Sequence, residues 1–159
     1  MFTRLLVVLM MAFSTLGMTS LVASPPASAS SATFAAKVEA SIQKYTNAQR
    51  RAHGKRAVVR SSCVDRYAEG WAAHLRNSGR FYHRSWRTIV RGCHKSYASE
   101  NIARYSAGAS ADGLARKIVR MWMSSPGHRR NLLSGRARTL GVGAAKSGGR
   151  WVVVQNFAS

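Results

Sequence analysis

Three residues carry the chemistry this sequence offers: His83, Glu100 and His128. The chain holds only five acidic residues, Glu39, Asp65, Glu69, Glu100 and Asp112. Glu39, Asp65 and Glu69 fall on helical patterns and read as solvated or capping acids. Asp112 opens a further helix, where a carboxylate suits the helix dipole. Glu100 lies in Ser99-Glu100-Asn101-Ile102-Ala103, which reads as a loop, so it needs another explanation. Of five histidines, His53 and His94 sit in basic turns and read as exposed, and His74 sits at the margin of an apolar helix face. His83 and His128 each follow a helix. His128 comes directly after Ser125-Pro126-Gly127, where proline presets φ and glycine accepts a positive φ. Such a turn would hold His128 on a rigid corner beyond a helix that ends near Trp122.

Two imidazoles and a carboxylate could form the first shell of a divalent metal with positions left for water. They could equally act as an acid/base pair around a carbonyl or phosphate. In the plain structural reading, Glu100 pairs with a histidine or caps a backbone group in a polar cleft. Spacing does not choose among these, and no HExxH pattern is present. Other chemistries are excluded. There is no Gly-x-Ser-x-Gly elbow and no glycine-rich phosphate loop. Every aspartate belongs to a helix, which argues against a Ser-His-Asp hydrolase. A thiol nucleophile would need a free cysteine.

The elements that must position these residues follow from periodicity. A first helix is expected over about Phe34 to Ala52, with Phe34, Val38, Ile42 and Tyr45 on one face and Gly54 as its stop. Ser30 to Thr33 reads as a frayed leader, and Ala57 to Val59 as a brief extended stretch. The second helix is the clearest: Val64, Tyr67, Ala68, Trp71, Ala72 and Leu75 recur at helical spacing. Ser61 or Ser62 caps it, Gly79 ends it, and Trp71 reads as core. A short helix is expected at Trp86 to Val90, with the chain turning at Gly92-Cys93. A third long helix runs from about Ser110 to Met123, with Leu114, Ile118, Met121 and Trp122 on one side. Arg129 to Leu133 forms another short one. Leu140, Val142 and Ala144, then Trp151, Val153, Gln155 and Phe157, alternate around Ser147-Gly148-Gly149, which predicts a β-hairpin. Val152 to Val154 is apolar on both faces, so that strand should be central. Helices first and strands last indicate an α+β fold.

Residues 1–29 read as a secretory signal peptide. Arg4 supplies the basic start and Leu5 to Phe13 the apolar run; Pro25-Pro26 breaks the chain, and Ala27-Ser28-Ala29 is the cleavage site. Residues 30–159 then form one domain without a second apolar run of membrane length. In an exported chain the two cysteines, Cys63 and Cys93, most simply form one disulfide. The loop it closes is about 30 residues, for a contribution of roughly 3–4 kcal/mol on the loop-entropy model. The chain carries 25 Lys and Arg against 5 Asp and Glu, a net charge of +20. Without Arg4 this is +19, enough to attract anionic polymers or lipid. The basic residues are scattered and match no nucleic-acid motif.

Several segments resemble one family, in order along residues 30–159: Tyr82-His83-Arg84-Ser85, Ser99 to Ala103, Trp122 to Leu133, and Gly141-Val142-Gly143 ahead of Trp151 and Phe157. Asn47 to Arg51 fits the same family's opening helix. They are similar to the bacterial branch of the CAP superfamily, the SCP domain of cysteine-rich secretory proteins, antigen 5 and pathogenesis-related 1. Trp122 to Leu133 is the most specific piece. The resemblance implies a three-layer α–β–α sandwich around a mainly antiparallel sheet and an extracellular protein. It also implies a central cleft where His83, Glu100 and His128 converge, which in some relatives holds a divalent metal such as zinc. Relatives are linked to sterol or lipid binding, to defence and to proteolysis. Two positions depart from the pattern: Ser99 stands where glycine is usual, and Ser125 where many eukaryotic members carry a second acid. With that acid missing, the expected function is non-enzymatic binding of an extracellular ligand: a lipid or sterol, an anionic surface polymer or a host partner. The alternative is a metal-assisted hydrolase or protease using His83, Glu100 and His128.

Overall fold

The structure, a computed structural model, describes residues 27–106 and 110–159. The basic start, apolar run and Pro25-Pro26 of the expected export signal lie outside the described residues. In order come α1 (Ala27–Ala52), β1 (Val59–Arg60), α2 (Ser62–Ser78), α3 (Trp86–Gly92), β2 (Ala98–Ser106), α4 (Ala111–Ser124), α5 (Pro126–Leu132), β3 (Thr139–Ser147) and β4 (Arg150–Ala158). The sheet order is β1-β3-β4-β2. β3–β4 and β4–β2 are antiparallel, and β1 adds a short parallel pair to β3. The β3–β4 hairpin turns through Gly148 and Gly149 at φ +49 and +77, the left-handed conformation that a tight hairpin demands and glycine supplies.

Helices cover both faces, giving three layers. Trp151, Val153 and Phe157 of β4 pack with Val38 and Ile42 of α1 and Leu114, Ile118 and Trp122 of α4. Val152 and Val154 face the other way, against Ala68, Ala72 and Leu75 of α2 and Ile102 of β2. Because α2 lies directly on the sheet, a Cβ at Gly141 or Gly143 would run into the backbone of Val64 or Ala68. β4 is thus buried on both faces, as its unbroken apolar run predicts. The Cys63–Cys93 disulfide ties the first turn of α2 to the end of α3.

Several expectations change. α1 begins at Ala27, so the leader is helical, and Phe34 anchors that end by stacking on Trp151 at 5.0 Å. Ser61 occupies the N-cap of α2, but its side chain makes no cap bond. Ser110 does cap α4, accepting from the Gly113 N–H. Met121 sits at the edge of the α4 stripe and is 38% exposed. Trp71 is half buried and packs, as expected, against the Ala68–Val154 core cluster. Ser99 to Ala103 is no loop: it lies within β2 and pairs with β4 throughout. Buried on both faces from Glu100 to Ala103, the strand shows none of the alternation that marks a half-exposed one. The Ser125-Pro126-Gly127 corner is tighter than a β-turn. Ser125 ends α4 and starts α5, Pro126 takes the first helical position, and His128 therefore lies on α5. Glu39 and Asp65 are not solvated. β1 leaves most of β3 without a strand neighbour, and the Val142 and Ala144 N–H groups donate to Asp65 and Glu39, both at 3.0 Å. Carboxylates here close a sheet edge.

Candidate functional site

The three residues come from three elements around the free edge of β2. His83 lies in the loop between α2 and α3, Glu100 on β2, and His128 in the first turn of α5. The His83 Nδ1–H donates to Glu100 Oε1 at 2.9 Å, and the Arg84 backbone N–H donates to the same oxygen at 3.0 Å. The His83 and His128 rings stand 6.4 Å apart, and His128 leans towards Trp122 at 6.5 Å. Glu100 is almost closed off, with 5% of its side chain exposed. Burial pushes its carboxyl above the ordinary carboxylate range, against the hydrogen bonds from His83 and Arg84. Burial, helped by the nearby His83, lowers the His128 imidazole and keeps it neutral at pH 7.

A buried amide network holds these parts in place. Asn101 Nδ2 donates to the His128 carbonyl at 3.2 Å and to Gln155 Oε1 at 3.0 Å. Gln155 Nε2 donates to Thr46 Oγ1 of α1 at 2.7 Å. From α5, Asn131 Nδ2 donates to Asn101 Oδ1 at 3.1 Å and to the Glu100 carbonyl at 3.0 Å. Trp122 Nε1 donates to the Ile102 carbonyl at 3.1 Å. Asn131 and Trp122 thereby satisfy two edge carbonyls of β2 and fix α5 and α4 against it.

Beneath α2 runs a polar seam. Glu100 and Asn156 are direct cross-strand partners and so share a face. The seam separates the Ile102–Val154 cluster from the Ala98–Ala158 cluster. Arg84 crosses above it, its guanidinium 4.8 Å from the Trp71 ring and 5.3 Å from the Tyr67 ring. Glu100 Oε2, His128 Nδ1, Arg84 Nη1, Trp71 Nε1 and both side-chain polar atoms of Asn156 are buried without a protein partner. Unsatisfied polar atoms on this scale mark a place built for water or a polar ligand group.

The sequence reading named His83, Glu100 and His128, and the structure brings His83 and Glu100 into contact with His128 one ring-spacing away. It missed the amide frame. A signal was there: Gln155 and Asn156 interrupt an otherwise apolar strand. His74 is exposed, stacked on Trp71 at 4.5 Å and bonded to the Tyr82 hydroxyl at 2.7 Å. A separate cavity of about 580 Å³ lies between α1, α2 and the hairpin, lined in part by Glu69, Arg76 and Lys146, and none of its lining residues is a histidine.

The residues present do not fit a metal. Among the described residues, no group of three His, Cys, Asp or Glu side chains is arranged to hold an ion. Glu100 Oε1 is already taken by His83 Nδ1 and the Arg84 N–H, and position 125 holds an uncharged serine.

The chain belongs to the CAP family: the family model described as the cysteine-rich secretory protein family matches residues 43–157. It is 27% identical over 120 residues to the uncharacterised protein YkwD of Bacillus subtilis, covering 71% of this chain and 44% of that protein. Among solved structures it resembles an extracellular protein containing an SCP domain from Bacillus anthracis. The TM-score there is 0.68 with 24% identity, over 86% of this chain and 45% of that one. A cysteine-rich secretory protein from Staphylococcus aureus matches with TM-score 0.62 and 17% identity, over 78% of this chain and 39% of its own length. The chain therefore spans less than half of these relatives, and the likeness to the two structures establishes the fold.

Proposed function

We propose that this chain is an extracellular, non-enzymatic binding domain whose ligand engages the cleft at His83, Glu100 and His128. The observation that carries this reading is the pair of buried, unpartnered atoms there, Glu100 Oε2 and His128 Nδ1. Each is held by a rigid frame and lacks the partner that burial requires. Burial raises the Glu100 carboxyl and lowers the His128 imidazole, and the unpartnered Glu100 Oε2 and His128 Nδ1 offer a ligand one carboxyl oxygen and one ring nitrogen, which suits a hydroxyl or amide group. No described helix is long and apolar enough to cross a membrane. An export signal over residues 1–29 and relatives described as extracellular and secretory support a location outside the cell.

The test is a zinc titration of the oxidised protein beside a His83→Ala, His128→Ala double variant, with a peptide and ester hydrolysis panel. The expected result is no stoichiometric zinc uptake at micromolar concentration and no turnover that depends on the two histidines. Stoichiometric zinc binding lost in the double variant, together with hydrolysis, would overturn the reading in favour of a metal-assisted hydrolase.

A further inference from the structure

At one end of the molecule a guanidinium is buried with no carboxylate near it. Arg50 of α1 is 1% exposed. Its Nε donates to the Arg56 carbonyl at 2.8 Å, and its Nη1 to the Leu132 and Ser134 carbonyls at 2.8 and 3.0 Å. It thus pulls together the end of α1, the segment leading to β1 and the segment after α5. Burial lowers its basicity, and Arg138 and Arg56 act in the same direction, which places both cations close by. Lys55, Arg56, Arg129, Arg136 and Arg138 are exposed around it. Arg129 Nη2 stands 3.3 Å from His53 Nε2, while His53 Nδ1 lies 2.8 Å from the Gln49 carbonyl. The Arg129 guanidinium is thereby tied to the end of α1 through the His53 ring.

The acids are all elsewhere. Glu39 and Asp65 meet Arg60, Asp112 meets Lys44 and Arg116, Glu100 meets His83, and Glu69 stands near enough to Glu39 to act on it by charge. No aspartate or glutamate side chain meets this end, and at its border the Ser159 oxygen accepts from the Ser96 and Tyr97 N–H groups. Five exposed cations, with the buried Arg50 charge beneath them, keep the potential here positive. At its border, Trp86, Ser96, Tyr97, Ala98 and Arg136 line a pocket of about 240 Å³. Trp86 is 46% exposed there, and the Arg136 guanidinium lies 4.4 Å over the Tyr97 ring.

We infer that this end is a second binding surface, distinct from the cleft, for an acidic polysaccharide. One sugar ring lies against Trp86 and Arg136, and the acidic groups of the chain run along Arg138, Arg56, Lys55 and Arg129. A sugar ring presents an apolar face to an aromatic side chain and hydroxyls to Ser96 and Arg136. Single-stranded nucleic acid would call for several exposed rings to stack successive bases, and this face has one. A lipid surface would call for a continuous apolar face, and here only Val59 and Trp86 stand exposed among cations. The inference rests on the extracellular reading for where such a polymer is met, but not on the cleft ligand.

The test measures binding of the full oxidised chain to dextran sulfate, neutral dextran, polyphosphate, phosphatidylglycerol vesicles and duplex DNA. A face variant (Lys55→Gln, Arg56→Gln, Arg136→Gln) is compared with a control of equal charge change (Arg66→Gln, Lys117→Gln, Arg120→Gln). Dextran sulfate should bind with an affinity that falls as salt rises, and neutral dextran should not bind. The face variant should lose at least tenfold in affinity and the control less than threefold. Trp86→Ala should weaken dextran sulfate severalfold and leave polyphosphate unchanged. Equal losses in the two triple variants would overturn the inference, because attraction would then be a property of total charge. Tighter binding to vesicles, polyphosphate or DNA, with Trp86→Ala silent, would overturn the polysaccharide assignment. Glu100→Gln should leave all of these affinities unchanged, so failure here and failure of the cleft reading are separable.

Discussion

Glu39, half-buried, and Glu100, buried, stand in a chain with only five acids, and they do different work. Burial raises both carboxyls, Glu39 to about 7. Glu39 Oε1 accepts the Ala144 N–H at 3.0 Å and its Oε2 lies 3.7 Å from Arg60 Nη2, so both oxygens are engaged and the open edge of β3 is closed. Glu100 spends Oε1 on His83 and Arg84 and leaves Oε2 buried without a partner. Burial alone therefore does not mark a functional acid. The difference lies in what remains unsatisfied once the fold has taken its share.

The largest expected effect comes from removing the frame that holds the Glu100 side of this contrast. Asn101→Leu would strand Gln155 Oε1, take one partner from the His128 carbonyl and leave Asn131 Nδ2 with the Glu100 carbonyl alone. At 1–3 kcal/mol for each unsatisfied group, less relaxation, the loss should be on the order of 3 kcal/mol. Urea unfolding followed by circular dichroism measures it. A loss below about 1 kcal/mol would mean that α5 is held by packing alone.

The next largest effect concerns Glu39. Between pH 4.5 and about 7 the native state keeps a proton that the unfolded chain has released. Stability from this group is therefore fully present below pH 4.5 and falls as pH rises through 7, by up to about 3 kcal/mol. Glu39→Gln keeps a carbonyl acceptor for the Ala144 N–H and removes the titration. It should flatten the stability profile between pH 5 and 7 and stabilise the protein at pH 8 by about 1–2 kcal/mol. Denaturant midpoints at pH 5 and pH 8 decide this.

Glu100→Gln should cost less, within about 1 kcal/mol at pH 7, because the amide oxygen still accepts from His83 and Arg84. Side-chain carbon NMR should show the wild-type Glu100 carboxyl titrating above a solvated glutamate and the His128 ring below 6.5. An ordinary midpoint for either would remove the electrostatic distinction between the cleft and the β3 edge. The smallest effect belongs to Glu69→Gln. Glu69 is exposed and contributes to Glu39 only through charge, so its removal should lower the Glu39 midpoint slightly and change stability by less than about 0.5 kcal/mol.

Much of this was legible in the order of residues. α2 announced itself through six apolar positions at helical spacing, and the β3–β4 hairpin through alternation around Gly148-Gly149. The Cys63–Cys93 pair needed no geometry, since only two cysteines are present. The family followed from Trp122 to Leu133 and the segments around it. β2 was not legible, because a strand buried on both faces has no period to read. The starts of α1 and α5 shifted because Phe34 reaches Trp151, and because proline opens a helix as readily as it makes a turn. The amide frame was half visible, in Gln155 and Asn156 within an apolar strand, but its partners lie up to 109 positions away.

By itself, then, the sequence determined the local elements, the single disulfide, the excess of positive charge and the residue types available for chemistry. These depend on neighbours within a few positions or on composition. Only the tertiary structure decided which glutamate closes an edge and which keeps a free oxygen, and where positive charge gathers around Arg50. Those outcomes depend on burial and on hydrogen-bond partners brought together from distant segments, and no local pattern encodes them.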